Sequence, residues 1–356
     1  MNFKRNIQLD IMKGIGILLV IVGHISQNKT LNTWIYSFHI PLFFFVSGII
    51  YYMANVCGSK EFLVRKYKSL LIPYLVFSTL SFIYWCFIER YLRGSSESVM
   101  HQFIEIFLSQ GGDSNHEFNV ALWFLPCLFV MEILFDFIRR RFNDKKYIMS
   151  FLVICSIVGF IFSQYIPIRL PFSIDTMFVA IPFYGIGFLI APFFNSINYF
   201  INDNKTIISI VFILLSLGVL FFYKGNNFNN NNYSNYILLY IVSFIGIILI
   251  IIFSNIINKN RILLYLGSNT LILMCIHEPL KRIVLIIVSK ITNINTDVLR
   301  SNIFLIILLS VLLILIMYPF INIIKIYMPF MIGKFKSKKN LKVAKKIYYN
   351  NFDTSQ

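Results

Sequence analysis

Leu9-Asp10-Ile11-Met12-Lys13-Gly14-Ile15-Gly16-Ile17-Leu18-Leu19-Val20-Ile21-Val22-Gly23-His24 opens the first apolar segment of the chain and sets three ionisable groups into it. Lys13 and His24 are eleven steps apart, and at about 100° per residue that returns to within roughly 20° of the start, so both side chains share one helix face. Asp10 joins them one turn before Lys13. At about 1.5 Å per residue His24 lies roughly 16 Å deeper than Lys13, near or past the middle of a hydrocarbon core about 30 Å thick. A titratable group is costly to bury at that depth. The usual reason to keep one is that it faces a cavity or a reaction path.

The rest of the chain places this segment in a membrane. Its 356 residues are 58% hydrophobic and only 13% charged, with a mean hydropathy of +0.74, far more apolar than a soluble domain with a polar surface. A net charge of +17 raises nucleic acid as a partner. The charges sit in short clusters between apolar runs, however, which is how polytopic proteins set their orientation, and nucleic-acid binding is excluded on that ground. The five cysteines (Cys57, Cys86, Cys127, Cys155, Cys275) are widely spaced, with no CxxC pair and no metal-ligand spacing, so no metal site is expected. Lys4 and Arg5 precede the first apolar stretch as in a signal peptide. Asp10, Lys13 and His24 interrupt it and no small-x-small cleavage site follows, so it reads as a retained membrane helix.

Apolar runs long enough to span occur at Leu9–Ser26, Trp34–Met53, Ser69–Ile88, Val120–Ile138, Tyr147–Ile166, Phe172–Phe194, Ile207–Tyr223, Tyr236–Ile257, Ile262–Ile276 and Ile303–Met328. The predicted fold class is therefore an all-α integral membrane protein, a polytopic bundle of about ten transmembrane helices. The ninth run is short and Glu278-Pro279 interrupts it, which predicts either one kinked helix or a span followed by an interfacial piece. With the N-terminus in the cytoplasm, Lys60, Arg65, Lys66, Lys68, Arg139 to Arg141, Lys145, Lys146, Lys205, Lys259 and Arg261 all fall inside. Far fewer basic residues, chiefly Arg90, Arg93, Arg169, Lys224, Lys281, Arg282 and Arg300, fall outside. That asymmetry predicts both termini in the cytoplasm and an even number of spans, in a multi-pass membrane protein.

Two outside loops stand out. Glu89 to Phe118 carries five acids and an amphipathic stretch, Val99 to Leu108, suited to lying on the membrane or roofing a cavity. Asn226 to Asn235 is asparagine-rich and of low complexity, and reads as a flexible loop. Residues 1–330 make one membrane domain. Residues 331–356 form a lysine-rich cytoplasmic tail suited to anionic lipid headgroups.

Within this frame, chemistry has to come from the helices and short loops. The neutral form of His24 accepts a proton near neutral pH, so a general base acting on a hydroxyl is its natural role; the alternative is a packing histidine bonded to a carbonyl of another helix. Asp10 and Lys13 serve either the same site or an interfacial ion pair. The second run contains Phe38-His39-Ile40-Pro41-Leu42-Phe43-Phe44-Phe45-Val46-Ser47-Gly48, where Pro41 is expected to free a carbonyl near His39 and Ser47-Gly48 to admit a neighbouring helix. His39 lies toward the outer half of the bilayer with His24, and the two are candidates to line one cavity. Arg65 and Lys68, one turn apart before Pro73, are either topology signals or a clamp for an anionic donor. Helix four opens on Trp123-Phe124-Leu125-Pro126 and carries Glu132, the most deeply placed acid, which should face the bundle interior in structural pairing or active-site support. His277-Glu278-Pro279, at the outer end of the ninth run, is a candidate acceptor contact. GxSxG, P-loop and HExxH strings are absent, so a hydrolase triad, an ATPase and a zinc enzyme lack support.

Taken together these strings resemble the membrane acyltransferase-3 family, and within it the fucose 4-O-acetylase-like branch. The resemblance rests on Asp10, Lys13 and His24, the Phe38 to Gly48 string, Arg65 to Tyr74, Trp123 to Pro126, and Leu266-Gly267-Ser268-Asn269-Thr270-Leu271 running to His277. It implies a ten-helix O-acetyltransferase that takes acetyl from cytosolic acetyl-CoA, or another acyl-CoA, as a donor substrate with no permanently bound cofactor. The acceptor it implies is a sugar hydroxyl of an envelope glycan or a lipid-linked sugar. His24 would be essential to catalysis, and Lys13, Arg65 and Lys68 would handle the donor. The family often has two arginines where this chain has Arg65 and Lys68, and a lysine lacks the bidentate fork of an arginine.

The two lines of reasoning agree physically. A polyanionic cytosolic donor suits positive Lys13, Arg65 and Lys68 at the inner mouth, while the acceptor approaches from outside toward His39, Trp123 and His277. His24 lies between, activating the hydroxyl or carrying the acyl group itself, with Glu132 or Asp10 expected to influence its charge. The competing class is a transporter or flippase of a glycan precursor. Against it, the sequence has no internal repeat and no paired broken helices.

Overall fold

The computed structural model describes residues 6–335 except 55, 56, 113, 143 and 258. Most of the lysine-rich tail therefore lies outside the described residues. Among these residues the structure is helical apart from one short hairpin. The helices are α1 Ile7–Ile25, α2 Lys29–Tyr36, α3 His39–Met53, α4 Ser59–Lys66, α5 Ile72–Tyr84, α6 Arg90–Arg93, α7 Val99–Leu108, α8 Phe124–Arg141 and α9 Lys145–Tyr165. Then come α10 Ile174–Ile190, α11 Phe194–Asp203, α12 Lys205–Phe222, a hairpin of β1 Asn226–Asn227 and β2 Asn232–Tyr233, α13 Tyr236–Ile257, α14 Arg261–Ser268, α15 Thr270–Thr292, α16 Thr296–Ser301 and α17 Ile303–Tyr327.

Eight helical stretches are long and apolar enough to cross a membrane by length and composition. Two more rods, α8 and α15, are comparable in length (18 and 23 residues) but carry several charges each. α1, α3, α10 and α13 form the middle of the bundle, whereas α9, α12 and α17 turn most of their surface outward. An outward surface of isoleucine, leucine and phenylalanine is what a hydrocarbon solvent demands.

The tightest contact is between α3 and α10. Gly48 stands against the backbone oxygen of Tyr184, and Gly187 against that of Phe45, so each helix offers the other a bare backbone. In a membrane, where apolar side chains gain little by leaving lipid, such close backbone approach is a main source of packing energy. The same device joins α1 to α14, where Gly267 abuts the backbone oxygen of Asp10. The glycine of the Leu266 to Leu271 string is thus a packing requirement of the first helix.

Several expected boundaries shift. The second run is not one helix: it breaks at Ser37 and Phe38, where Phe38 has φ −143° and ψ −13°. Pro41 consequently falls in the first turn of α3, where a missing N–H costs nothing, and does not free a carbonyl. At the break the Ile35 carbonyl accepts from the Phe38 N–H at 3.3 Å, and His39 Nδ1 meets the same oxygen at 2.9 Å. The ninth run is displaced as well. Arg261–Ser268 is a separate short helix, and α15 runs unbroken through Pro279, so His277 and Glu278 lie in mid-helix and not at its end.

Between α4 and α5 the rod widens into a π-helical turn at Tyr67–Leu71, and again at Trp85–Glu89. Pro73 lacks the N–H that would bond the carbonyl of Ser69, which favours a wider turn at the first position. The stretch Asn226 to Asn235, expected to be a flexible loop, instead forms the antiparallel hairpin, pairing Asn226 with Tyr233 and Asn227 with Asn232. Low complexity predicts disorder only when nothing holds the polar chain. Here Asn229 Oδ1 accepts from the Gly112 N–H at 3.1 Å, and the Phe228 carbonyl accepts from Thr176 Oγ1 at 3.1 Å.

Candidate active site

The C-terminal end of α1 leaves carbonyls with no partner in the helix, and side chains from three other elements fill them. The Tyr36 hydroxyl of α2 donates to the Gly23 carbonyl at 2.9 Å, Lys281 Nζ of α15 to that of His24 at 3.3 Å, and Arg300 Nε of α16 to that of Ile25 at 2.9 Å. Two of these caps are cations, which also complement the negative end of the helix dipole. Because all three reach the same helix end, they gather around His24. A cavity of about 350 Å³ opens there, lined among others by His24, His39, Trp123, Asn226, Glu278 and Arg300.

His24 Nδ1 lies 3.0 Å from Glu278 Oε2. A carboxylate this close to Nδ1 favours the tautomer protonated there, with the lone pair on Nε2, and stabilises a positive charge on the ring. Glu278 is almost wholly buried, and two cations balance it: Lys281 Nζ at 2.6 Å from Oε1 and Arg282 Nε at 3.2 Å. Arg282 extends the network, with Nη1 at 2.6 Å from Glu89 Oε1, and Arg93 Nη1 reaches the same oxygen at 3.1 Å. The π-helical turn ending at Glu89 is what brings that acid inward. Alternating charges in this sequence satisfy the requirement that buried ions be paired.

His277 lies behind His24. It is fully buried, its Nδ1 is 3.0 Å from the Leu273 carbonyl and 2.9 Å from that of Met274, and its ring meets that of His24 edge-on with centroids 5.0 Å apart. His24, His277 and Glu278 offer ligand atoms within 4.8 Å of one another, close enough to hold a metal ion. Lys281 and Arg282 already neutralise the one carboxylate, so a cation would enter a site that is positive before it arrives. The donor set suits a charge-oriented imidazole better than a metal centre.

The expected site residues divide into two groups. His24, His39 and Trp123 share the cavity. His277 supports His24 from behind and does not line that cavity, so its expected contact with an acceptor is replaced by a contact with His24. Asp10 and Glu132 are not the acids beside His24. Asp10 is about four turns earlier on α1, roughly 21 Å away along the axis, and bonds Lys13 at 2.7 Å. Glu132 is buried on α8 and bonds Lys66 at 2.8 Å.

Arg65 and Lys68 meet different neighbours because the π-helical turn at Tyr67–Leu71 begins between them. Arg65 Nη2 lies 3.0 Å from Cys57 Sγ beside a small cavity with Tyr51, Arg139 and Arg140, while Lys68 Nζ sits 5.7 Å from the ring centre of Phe335. The basic cluster at this end of the bundle is therefore Arg65 with Arg139 and Arg140, and Lys68 stands apart. Residues missed from sequence are Glu278 as the partner of His24, Lys281, Arg300 and the hairpin asparagines. A buried Glu-x-x-Lys pair one turn apart was a usable signal for the first two.

A helical bundle with an imidazole–carboxylate pair in a polar cavity at one end is an arrangement capable of acid–base chemistry within a membrane. The sequence profile of the acyltransferase-3 family, described as an acyltransferase domain, matches residues 6–322, and the chain belongs to that family. Its eight long apolar helices fit a multi-pass membrane protein of that family. The chain is also similar to the nodulation protein NolL of Mesorhizobium japonicum, 28% identical over 202 residues that cover 53% of this chain and 48% of that protein. The match spans about half the length of that relative. No solved structure matches the chain.

Proposed function

We propose that this chain transfers an acyl group, acetyl from acetyl-CoA, to a sugar hydroxyl of an envelope or exopolysaccharide glycan. The observation that carries the reading is the His24–Glu278 contact of 3.0 Å inside a polar cavity. His24 Nε2 takes the proton of the acceptor hydroxyl as its oxygen attacks the thioester carbonyl. The carbon–sulfur bond then breaks, and the leaving thiolate receives that proton from His24. Glu278 stabilises the imidazolium in between without itself being protonated. In a two-step form, His24 Nε2 first accepts the acyl group and then passes it to the hydroxyl.

A polyanionic donor favours approach from the end of the bundle that carries Lys13, Arg65, Arg139 and Arg140, which on this reading faces the cytoplasm of a bacterial cell. The acceptor, a glycan or lipid-linked sugar, enters at the opposite end past His39 and Trp123, with membrane lipids as the surrounding partner. Acetyl as the group moved follows from the resemblance of the Asp10 to His24 and Phe38 to Gly48 strings to the fucose 4-O-acetylase-like branch.

The test compares O-acetyl groups released from envelope glycans of cells lacking the gene, complemented with the wild-type chain or with His24→Ala at matched protein level. Loss of O-acetyl in the deletion and in the variant is the expected result. Unchanged O-acetylation with an altered amount of surface glycan would instead favour a transporter of the glycan precursor.

A further inference from the structure

The cavity at His24 does not close behind the acceptor hydroxyl. A second bay of about 450 Å³ adjoins it, and Asn32, Tyr36, Asn226 and Asn227 line both. The outer bay is completed by Gln27, Lys29, Thr33, Lys224, Asn232 and Ser234, so its walls are amides, hydroxyls and two ammonium groups with no carboxylate. Lys29 and Lys224 are exposed and form no ion pair among the described residues. On the shared wall, Asn32 donates through Nδ2 to the Ser26 carbonyl at 2.9 Å, which leaves its Oδ1 buried and without a partner. The far wall is the asparagine hairpin, held to the loop after α7 and to α10 by the Asn229 and Phe228 contacts, so it is built and not improvised.

Amide and hydroxyl walls hydrogen-bond a polyol, and two lysines without counter-charges call for an anion. We infer that the outer bay holds a second, negatively charged residue of the acceptor glycan, next to the sugar acylated over His24. The acceptor is thus an acidic unit of two or more residues, its charge supplied by a uronate carboxylate or a phosphodiester. This rests on the sugar-hydroxyl reading above.

The experiment maps acyl positions on envelope oligosaccharides from cells with the wild-type chain by tandem mass spectrometry. Carbodiimide reduction identifies neighbouring carboxylates, and hydrogen fluoride cleavage identifies phosphodiesters. Acyl groups on sugars adjacent to an anionic residue are expected. Acyl groups flanked only by neutral sugars would overturn the inference and leave the sugar-hydroxyl reading standing, whereas no acyl group on any sugar would overturn both. In parallel, Lys29→Gln/Lys224→Gln should lower glycan acylation about tenfold or more per protein molecule, as loss of one charge-assisted bond predicts. Lys29→Arg/Lys224→Arg should restore it. Wild-type acylation per molecule in the glutamine variant, with or without a lower protein level, would make the lysines membrane anchors and reject the inference.

Discussion

Glu278 Oε2 stands 3.0 Å from His24 Nδ1, joining the middle of α15 to the end of α1 across the bundle. The other oxygen of the same carboxylate holds Lys281 at 2.6 Å and Arg282 at 3.2 Å. One negative charge therefore faces the imidazole and two buried cations, and Glu89 supplies a second negative charge to Arg282. Glu278→Gln preserves the shape and removes the charge. Acyl transfer in isolated membranes should fall by about 10²- to 10⁴-fold, the range seen when an orienting carboxylate is lost. Stability should fall by roughly 3 kcal/mol or more, because Lys281 and Arg282 lose their shared partner. Turnover per molecule and the unfolding midpoint in detergent measure the two effects separately; undiminished turnover would remove Glu278 from the mechanism.

Lys66 and Glu132 test a different role for a buried acid. Their contact of 2.8 Å joins the end of α4 to the middle of α8. Removing one partner strands the other, so Lys66→Met alone should cost about 3–5 kcal/mol. The double variant Lys66→Met/Glu132→Leu should recover most of that loss, since an apolar pair of similar volume needs no counter-charge. It should also retain acyl transfer if Glu132 is purely structural. A stable double variant without activity would return Glu132 to the active site.

The contrast between Glu132 and Glu278 marks how far the sequence is legible. Helix type followed from apolar runs, because lipid imposes the same demand on every outward residue. The Lys13 to His24 face was legible because helical geometry fixes it within one segment. Which acid meets His24 was not, since the answer depends on how α15 is phased against α1. Reading Glu278-Pro279 as a helix end hid it: proline costs a hydrogen bond inside a helix, and surrounding protein can absorb that cost in a membrane. The asparagine hairpin was missed for a related reason, since its order comes from Gly112 and Thr176, contacts that composition does not report.

Gly48→Ala probes the α3–α10 contact on which the position of His39 depends. A methyl group at Gly48 would collide with the backbone oxygen of Tyr184, and backbone cannot turn aside as a side chain can. Overpacking of this kind costs about 1–3 kcal/mol or more. The unfolding midpoint should fall much further than for Gly58→Ala, whose added methyl meets nothing within 4 Å and whose only cost is a poorer N-cap for α4. Equal midpoints for both variants would mean that the two helices can separate without loss.

His116, in the loop between α7 and α8, supplies a pH dependence independent of catalysis. Its ring is fully buried, with Nδ1 3.0 Å from the Gln110 carbonyl and Nε2 3.3 Å from the Tyr74 hydroxyl. Burial pushes the imidazole down to about 4, against the pull of the Gln110 carbonyl. The unfolded chain would titrate near 6.5, so between those values it binds the proton that the folded chain refuses. Stability contributed here is complete above about pH 6.5, declines as the pH falls, and is lost by about pH 4, a span worth roughly 3 kcal/mol. Glu105 nearby shifts upward through burial and acts in the opposite sense, so the comparison has to be between variants. His116→Gln should lose less of its unfolding midpoint than the wild type between about pH 7.5 and pH 5. It should start from a lower value at the upper pH, where its lost ring contacts are felt. Parallel declines in the two chains would show that His116 is not held neutral by burial.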